Sequence, residues 1–149
     1  MMQSADHPFH CGVLLDPWMH SVYTDDTINV PVLNLQSETF HWQTNLTSLE
    51  TFHRSKLSNS PFMVIKSTAH QDFSDFPILF PRITRKMGLS GNSDPSVSFR
   101  VWSSRVLEFL NQRLDLGWQV GRADESNNQV LLEDEAFQHL RDRIVPERY

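Results

Sequence analysis

The stretch that decides the fold runs from residue 30 to residue 65 and reads VPVLNLQSETFHWQTNLTSLETFHRSKLSNSPFMVI. It opens and closes with short apolar runs, which are typical of strands buried on both faces of a sheet. Between them, apolar residues recur at helical spacing over residues 40–57; they are Leu46, Leu49, Phe52 and Leu57. Strand, helix and strand in this order predict a βαβ unit with parallel strands.

Further elements flank this unit on both sides. Upstream, the apolar run at residues 11–15 stops at Asp16-Pro17 and predicts another strand, joined to the next by a loop or short helix over residues 17–29. Downstream, Asp94-Pro95 suits the cap and first turn of a helix that we expect to end at Gly117. Residues 130–143 are a weaker helix candidate.

The predicted fold class is α/β, with about three parallel strands and flanking helices. A parallel sheet is covered by helices on both faces and usually has more strands than three. We therefore interpret residues 1–116 as the C-terminal part of a larger α/β domain. Residues 117–149 are interpreted as a tail with a possible helix.

Composition and charge restrict the classes of protein to which this chain can belong. The 149 residues carry a net charge of −5, which disfavours nucleic-acid binding because that normally needs a basic face. A single cysteine excludes an intramolecular disulfide framework. No apolar run approaches the roughly 18 residues of a membrane span, and no leader is visible, so we expect a cytoplasmic location and no transmembrane segment.

Three ionisable residues follow the three predicted strands: Asp16, Glu38 and His70. In open α/β sheets, functional groups gather beyond the carboxyl ends of the strands. A carboxylate beside a histidine there would form the acid–base half of a catalytic triad. The alternative is that polar residues merely end these strands.

Two segments resemble a known family. Residues 9–19 read FHCGVLLDPWM and residues 69–76 read AHQDFSDF. Together they are similar to the acid and histidine segments of the platelet-activating factor acetylhydrolases, which are group VII phospholipases A2. The resemblance implies an α/β-hydrolase fold, a phospholipid substrate and hydrolysis of its short sn-2 acyl group. It also implies that neither calcium nor another cofactor takes part.

The resemblance also implies roles for single residues. Asp16 would be the triad acid and His70 the triad base. Trp18 and Gln71 would line the mouth of the active site, and Phe76 would pack nearby. For Trp18 and Phe76, ordinary core packing is the alternative.

The nucleophile of this family lies in a Gly-x-Ser-x-Gly elbow, and the sequence contains none. The nearest match, residues 88–92, is a polar loop with no strand before it, which argues against Ser90 as the nucleophile. We therefore expect the chain to be part of a longer esterase and to be inactive alone. The alternative is a non-catalytic interaction protein, or a relic, that keeps the same half of the fold.

Asp16 and Glu38 compete for the role of triad acid. Pro17 fixes the exit of the chain after Asp16, whereas Glu38 lies in a wholly polar stretch and is expected to be solvated. A carboxylate that orients a histidine should be partly buried and held. We therefore predict that the Asp16 carboxylate lies about 2.6–3.2 Å from the His70 ring.

Two further patterns, a basic apolar segment and a group of histidines with a cysteine, each have a functional interpretation and an alternative. Residues Ile78 to Met87 mix bulky apolar side chains with three cations, which suits a lipid surface. The alternative is an amphipathic helix packed on the sheet. A zinc site is conceivable from residues near the N-terminus, but no second ligand cluster exists and we expect no metal; those residues are His7, His10, Cys11 and His20.

Overall fold

A computed structural model describes residues 9–19, 28, 30–56, 60–120 and 129–144. Four strands and five α-helices are found in this part of the chain. In order they are β1 (Gly12–Leu15), β2 (Val32–Ser37), α1 (Gln43–Lys56), β3 (Phe62–Ile65), α2 (Phe76–Leu79), α3 (Pro81–Lys86), α4 (Pro95–Leu114), β4 (Val130–Leu132) and α5 (Glu133–Arg141). A short 3₁₀ helix, His70–Phe73, lies between β3 and α2.

The strands form one mixed sheet in the order β1-β2-β3-β4. The first three are parallel, with Leu15 opposite Leu35 and Gln36 opposite Val64. Strand β4 runs antiparallel to β3 and pairs Leu131 with Val64. The α/β class and the three parallel strands predicted from the sequence are confirmed, and β4 is an addition that the sequence did not indicate.

The bounds of β2 differ from the prediction in a way that matters for the site. The strand continues through Gln36 and Ser37, and both side chains are fully buried. The sequence placed the end of the strand at Leu35 because polar residues follow. These polar residues stay in the strand because their neighbours on β3 continue the ladder as far as Ile65. The predicted connection over residues 17–29 lies mostly outside the described residues.

The segment over residues 130–143 switches structure within the predicted helix. Its first three residues, Val130–Leu132, form β4, so the helix prediction is wrong there and confirmed from Glu133 onward. Three consecutive apolar residues show no helical spacing, and they pair as a strand with the edge of β3 instead. Glu133 marks the switch with a left-handed backbone (φ 46°).

Helices pack on both faces of the sheet. Alternate residues of β2 point to opposite faces, as the pleat requires. Leu33 and Leu35 contact the α4 side, where Phe109 is buried. The other face holds a larger apolar cluster shared by β2, β3, α1 and α5, whose buried members include Val32, Leu46, Leu49, Phe52, Phe62, Val64, Phe137 and Leu140.

Helix α4 begins where its sequence predicts. The Asp94 carboxylate accepts hydrogen bonds from the backbone N–H of Ser96 (2.8 Å) and Val97 (3.4 Å), and Pro95 occupies the first turn. The helix ends at Leu114, before the predicted Gly117, because Asp115 takes the left-handed conformation that closes it. Within the described part of the chain, no helix combines the length and apolarity that crossing a membrane needs.

A buried carboxylate holds the loops around the 3₁₀ helix together. Oδ2 of Asp72 accepts hydrogen bonds from the backbone N–H of Ala69 (2.8 Å) and of Gly91 (2.7 Å). The Trp102 indole N–H donates to the Asp72 carbonyl at 3.0 Å and so ties α4 to the same point. Burial raises the pKa of the Asp72 carboxyl. These contacts fix the backbone on which His70 stands.

Gly91 provides a test of this clamp. A Cβ at residue 91 would lie 2.1 Å from the Ser67 carbonyl oxygen, a backbone atom that cannot turn aside. We expect Gly91→Ala to lower the free energy of unfolding by about 1–3 kcal/mol, the usual cost of overpacking that shifts the backbone. Urea denaturation measures the change.

Gly12→Ala is the matched control. The added Cβ there meets only Val32 at 3.5 Å, which is an ordinary contact, and the backbone is not left-handed. Equal stabilities of the two variants would contradict the close approach at Gly91.

Candidate active site

Asp16 stands directly after β1, at the carboxyl end of the sheet. Its backbone is left-handed (φ 48°), a conformation that Asp tolerates better than most residues. Its N–H donates to the Leu35 carbonyl at 2.8 Å and so extends the ladder by one residue. The residue is only 1% exposed. The turn therefore directs a carboxylate inward, over the end of β2.

Two neighbouring strands supply the partners of this carboxylate. Ser37, the last residue of β2, donates its backbone N–H to Oδ1 (2.9 Å) and its hydroxyl to Oδ2 (2.7 Å). His70, which follows β3, places Nδ1 2.9 Å from Oδ2. The contact predicted between Asp16 and His70 is present in the structure.

His70 is held by a ring as well as by a carboxylate. Its imidazole stacks on Phe40, with the centroids 4.1 Å apart and the planes inclined by 23°. Because a carboxylate only accepts, the His70 proton belongs on Nδ1 in the neutral ring, and Nε2 is then the unprotonated nitrogen. The side chain is 36% exposed. This geometry anchors Nδ1 and leaves Nε2 as the nitrogen without a proton, which is the arrangement that general-base catalysis requires.

Glu38 is buried, so the expectation that it is solvated is wrong. Its carboxylate accepts from the Ser67 N–H (3.0 Å), contacts Nε2 of His139 (2.7 Å) and pairs with Arg143 (3.1 Å). Because β2 continues to Ser37, Glu38 lies where it contacts His139 on α5. The local polar sequence does not reveal this contact. This carboxylate joins α5 to the sheet, and His70 is not among its partners.

Of the other predicted site residues, Trp18 contacts Phe40, whereas Gln71 and Phe76 lie further along the chain. Trp18 is 56% exposed, and its ring stacks on that of Phe40, with the centroids 5.8 Å apart. Phe40 in turn stacks on His70, so it contacts both rings. Gln71 follows His70 in the 3₁₀ helix, half-buried. Phe76 begins α2, where its ring contacts Phe80 at 5.3 Å.

None of the remaining candidates that the structure describes is hydrogen-bonded to the Asp16–His70 pair, which is called the dyad below. The hydroxyl of Ser90 is buried, and His70 is not a hydrogen-bond partner of it. Of the four residues considered for zinc, His7 and His20 lie outside the described residues. Within the described ranges, no group of three or more His, Cys, Asp or Glu side chains could hold a metal ion.

The structure adds three residues that sequence reasoning missed. Ser37 ends β2, and Phe40 and His41 lie between β2 and α1; all three contact Asp16 or His70. The sequence pattern pointed to ionisable residues after the strands and placed the end of β2 at Leu35, before Ser37. A signal was available, since Ser37 lies at the carboxyl end of the strand between the two that carry the dyad.

A cavity of about 770 Å³ lies away from these residues, at the opposite end of the strands. It opens beside Ser60 and Pro61, which precede β3, and beside one face of α4. Ligand sites of open α/β sheets lie at the carboxyl ends of the strands instead. The dyad, rather than this cavity, marks the candidate active site.

The parallel strands, flanking helices and acid–histidine pair at the carboxyl edge are those of an α/β-hydrolase type of fold. The family model described as platelet-activating factor acetylhydrolase, isoform II, matches residues 2–137. The chain belongs to this family, which is a family of lipid-degrading hydrolases.

Individual relatives agree with this assignment. A chicken (Gallus gallus) protein named platelet-activating factor acetylhydrolase is 32% identical over 117 residues, and a guinea pig (Cavia porcellus) protein of the same name is 30% identical over 116. Each match covers 76% of this chain but only 28% and 26% of the relative. The chain thus spans about a quarter of the length of the curated relatives it matches.

The contacts of Glu38 lead to a prediction about stability. Removing its carboxylate leaves the Ser67 N–H without its acceptor and detaches His139 and Arg143. We expect Glu38→Ala to lower the free energy of unfolding by about 1–3 kcal/mol, because a buried polar group loses its partner. Urea denaturation measures this change.

Glu135→Ala, at an exposed position of α5, is the control and should stay within about 0.5 kcal/mol of the parent. If both variants were equally stable, the contacts of Glu38 would contribute nothing to holding α5.

Proposed function

We propose that this chain supplies the acid and the base of a serine esterase that removes the short sn-2 acyl group from phospholipids of the platelet-activating factor type. The observation that carries the proposal is the contact of 2.9 Å between Asp16 and His70, at the edge of the sheet where such enzymes work. The names of the chicken and guinea pig relatives support the choice of substrate.

In this mechanism, Nε2 of His70 takes the proton of a serine hydroxyl, and the serine oxygen attacks the ester carbonyl. His70 then gives the proton to the departing alcohol, which is the lysophospholipid. A water molecule repeats the sequence on the acyl-enzyme and releases the short acid. Asp16 keeps the proton of the neutral ring on Nδ1 and stabilises the imidazolium that forms in each step.

The serine comes from outside these 149 residues in our proposal, because the sequence has no Gly-x-Ser-x-Gly elbow. This chain then forms the C-terminal part of a larger α/β domain, in which β4 and α5 belong to the sheet and its core. Strand β1 is an edge of the described sheet, so a further strand can pair with it. Trp18, Gln71 and Phe76 would line or border the mouth of the assembled site.

The missing elbow also favours a second candidate function. A chain that keeps the dyad but has no nucleophile could serve as a non-catalytic interaction protein of the same fold. The two functions differ in what happens when the rest of the domain is supplied.

A chimera separates them. This chain would replace the matched segment of the chicken relative, so that the relative provides everything else. We expect the chimera to hydrolyse a short-chain ester, while the chain alone does not exceed the buffer rate. His70→Ala and Asp16→Asn should each reduce turnover by about three to four orders of magnitude, because the base or its tautomer is lost.

Glu38→Gln is the matched control for Asp16→Asn, since each neutralises a buried carboxylate after a strand. It should change turnover little, because Glu38 faces α5. A folded chimera without activity would support the non-catalytic function instead. Equal losses in the two carboxylate variants would remove Asp16 from the triad.

We further propose that residues 78–87 contact the lipid surface from which the substrate is taken. Helices α2 and α3 leave large apolar side chains in solvent, among them Leu79 (62% exposed), Ile83 (50%) and Met87 (65%). In α3, only Thr84 is buried. An amphipathic helix packed on the sheet would bury these apolar residues, so their exposure supports the lipid contact.

The contribution of charge to this contact is testable with vesicles. Replacing Arg82, Arg85 and Lys86 by Ser should weaken binding to anionic vesicles, since each cation near such a surface contributes about 1 kcal/mol. Sedimentation with vesicles of phosphatidylcholine and phosphatidylserine measures the bound fraction. Arg100→Ser, at an exposed position of α4, is the control for the loss of one cation away from this segment. Unchanged sedimentation of the triple variant would contradict the lipid contact.

A further inference from the structure

The turn from β2 to α1 surrounds the dyad with a third ionisable side chain. His41 is 2% exposed. Its Nε2 lies 2.9 Å from the Ser37 carbonyl oxygen and 3.5 Å from Oδ1 of Asp16. The ring therefore lies behind the carboxylate, on the oxygen that does not contact His70.

We propose that His41 is a positioning residue, whose neutral ring closes the 37–41 turn and holds the Asp16 carboxylate in the orientation that His70 requires. The inference rests on the proposed function of the Asp16–His70 pair and extends it to a residue that neither touches substrate nor transfers a proton.

The division of contacts between the two carboxylate oxygens supports this role. Oδ1 accepts the Ser37 N–H and faces His41, while Oδ2 accepts the Ser37 hydroxyl and contacts His70. Partners on both oxygens fix the plane of the carboxylate, which a single contact would leave free to rotate. His41 also bonds to Ser37 itself, and so steadies the residue that makes two of these bonds.

The ring must carry its proton on Nε2 to do this. Both groups near Nε2, the Ser37 carbonyl and the Asp16 carboxylate, are acceptors. Nδ1 is buried with no hydrogen-bond partner, which fits an unprotonated nitrogen. The tautomer is therefore opposite to that of His70, whose proton lies on Nδ1.

Burial disfavours a charged His41 ring. Burial lowers the pKa of His41, and the imidazolium of His70 lowers it further, while Asp16 and the Ser37 carbonyl act in the raising direction. A second imidazolium beside Asp16 would compete with His70 for the same carboxylate. A neutral ring that donates to the Ser37 carbonyl leaves the carboxylate to His70.

The test uses the full chain and the ring proton of His70 that faces Asp16. In ¹⁵N-labelled protein near neutral pH, a His70 Nδ1–H bonded to a carboxylate gives a proton signal far downfield. We expect His41→Phe, which keeps a ring but removes the donor, to shift this signal upfield and speed its exchange with water. His41→Gln, whose amide N–H can take the place of Nε2–H, should restore it.

His53→Phe is the matched control, because it also replaces a buried histidine, but one that lies beside Phe62 and Phe137. It should leave the His70 signal unchanged. A shift in His53→Phe equal to that in His41→Phe, or no shift in His41→Phe, would overturn the proposal. Asp16→Asn tests the underlying function separately: if the parent signal survives that change, the Asp16–His70 pair itself is refuted.

A measurement on the unaltered chain needs no variant to fold. The ring ¹⁵N shifts of His41 distinguish its two neutral tautomers. We expect Nε2 to be the protonated nitrogen and Nδ1 to have the shift of an unprotonated one. A proton on Nδ1 would leave nothing to donate to Ser37 or Asp16, and would overturn the proposal whatever the variants do.

Discussion

The rest of the site depends on the hydrogen bonds of one buried carboxylate, that of Asp16. Burying a charge is costly unless hydrogen bonds replace the lost water. Here the replacement comes from Ser37 at the end of β2 and from His70 after β3. One side chain therefore joins the ends of three neighbouring parallel strands, and the register of those strands decides which residues can meet it.

The order of the strands explains why the dyad is compact although its members are far apart in sequence. Asp16 and His70 are 54 positions apart. Each parallel strand returns the chain to the same edge of the sheet, so successive strand ends accumulate there. The chain between β2 and α1 also places Phe40 beside the dyad, and the Phe40 ring stacks on the His70 imidazole.

Two carboxylates at this edge serve different purposes because their surroundings differ. Asp16 meets neutral donors and a histidine with an exposed face, which suits proton transfer. Glu38 accepts the Ser67 N–H, which follows β3, and contacts His139 on α5 and Arg143 just after it. The C-terminal segment thus binds the Glu38 carboxylate, while the Asp16 carboxylate contacts His70.

The sequence by itself determined the α/β class, the three parallel strands, the capped start of α4 and the pairing of Asp16 with His70. The first three follow from local patterns: apolar runs, a helical stripe and an Asp-Pro cap. The pairing rested on the resemblance of residues 9–19 and 69–76 to one family, together with the polar residues that follow the strands. Only the tertiary structure decided that β2 continues through Gln36 and Ser37, that residues 130–132 form a strand, and that Glu38 is buried. Each of these depends on what a neighbouring segment offers, either a hydrogen-bonded edge or a charged partner, and no local pattern records a neighbour that is distant in sequence.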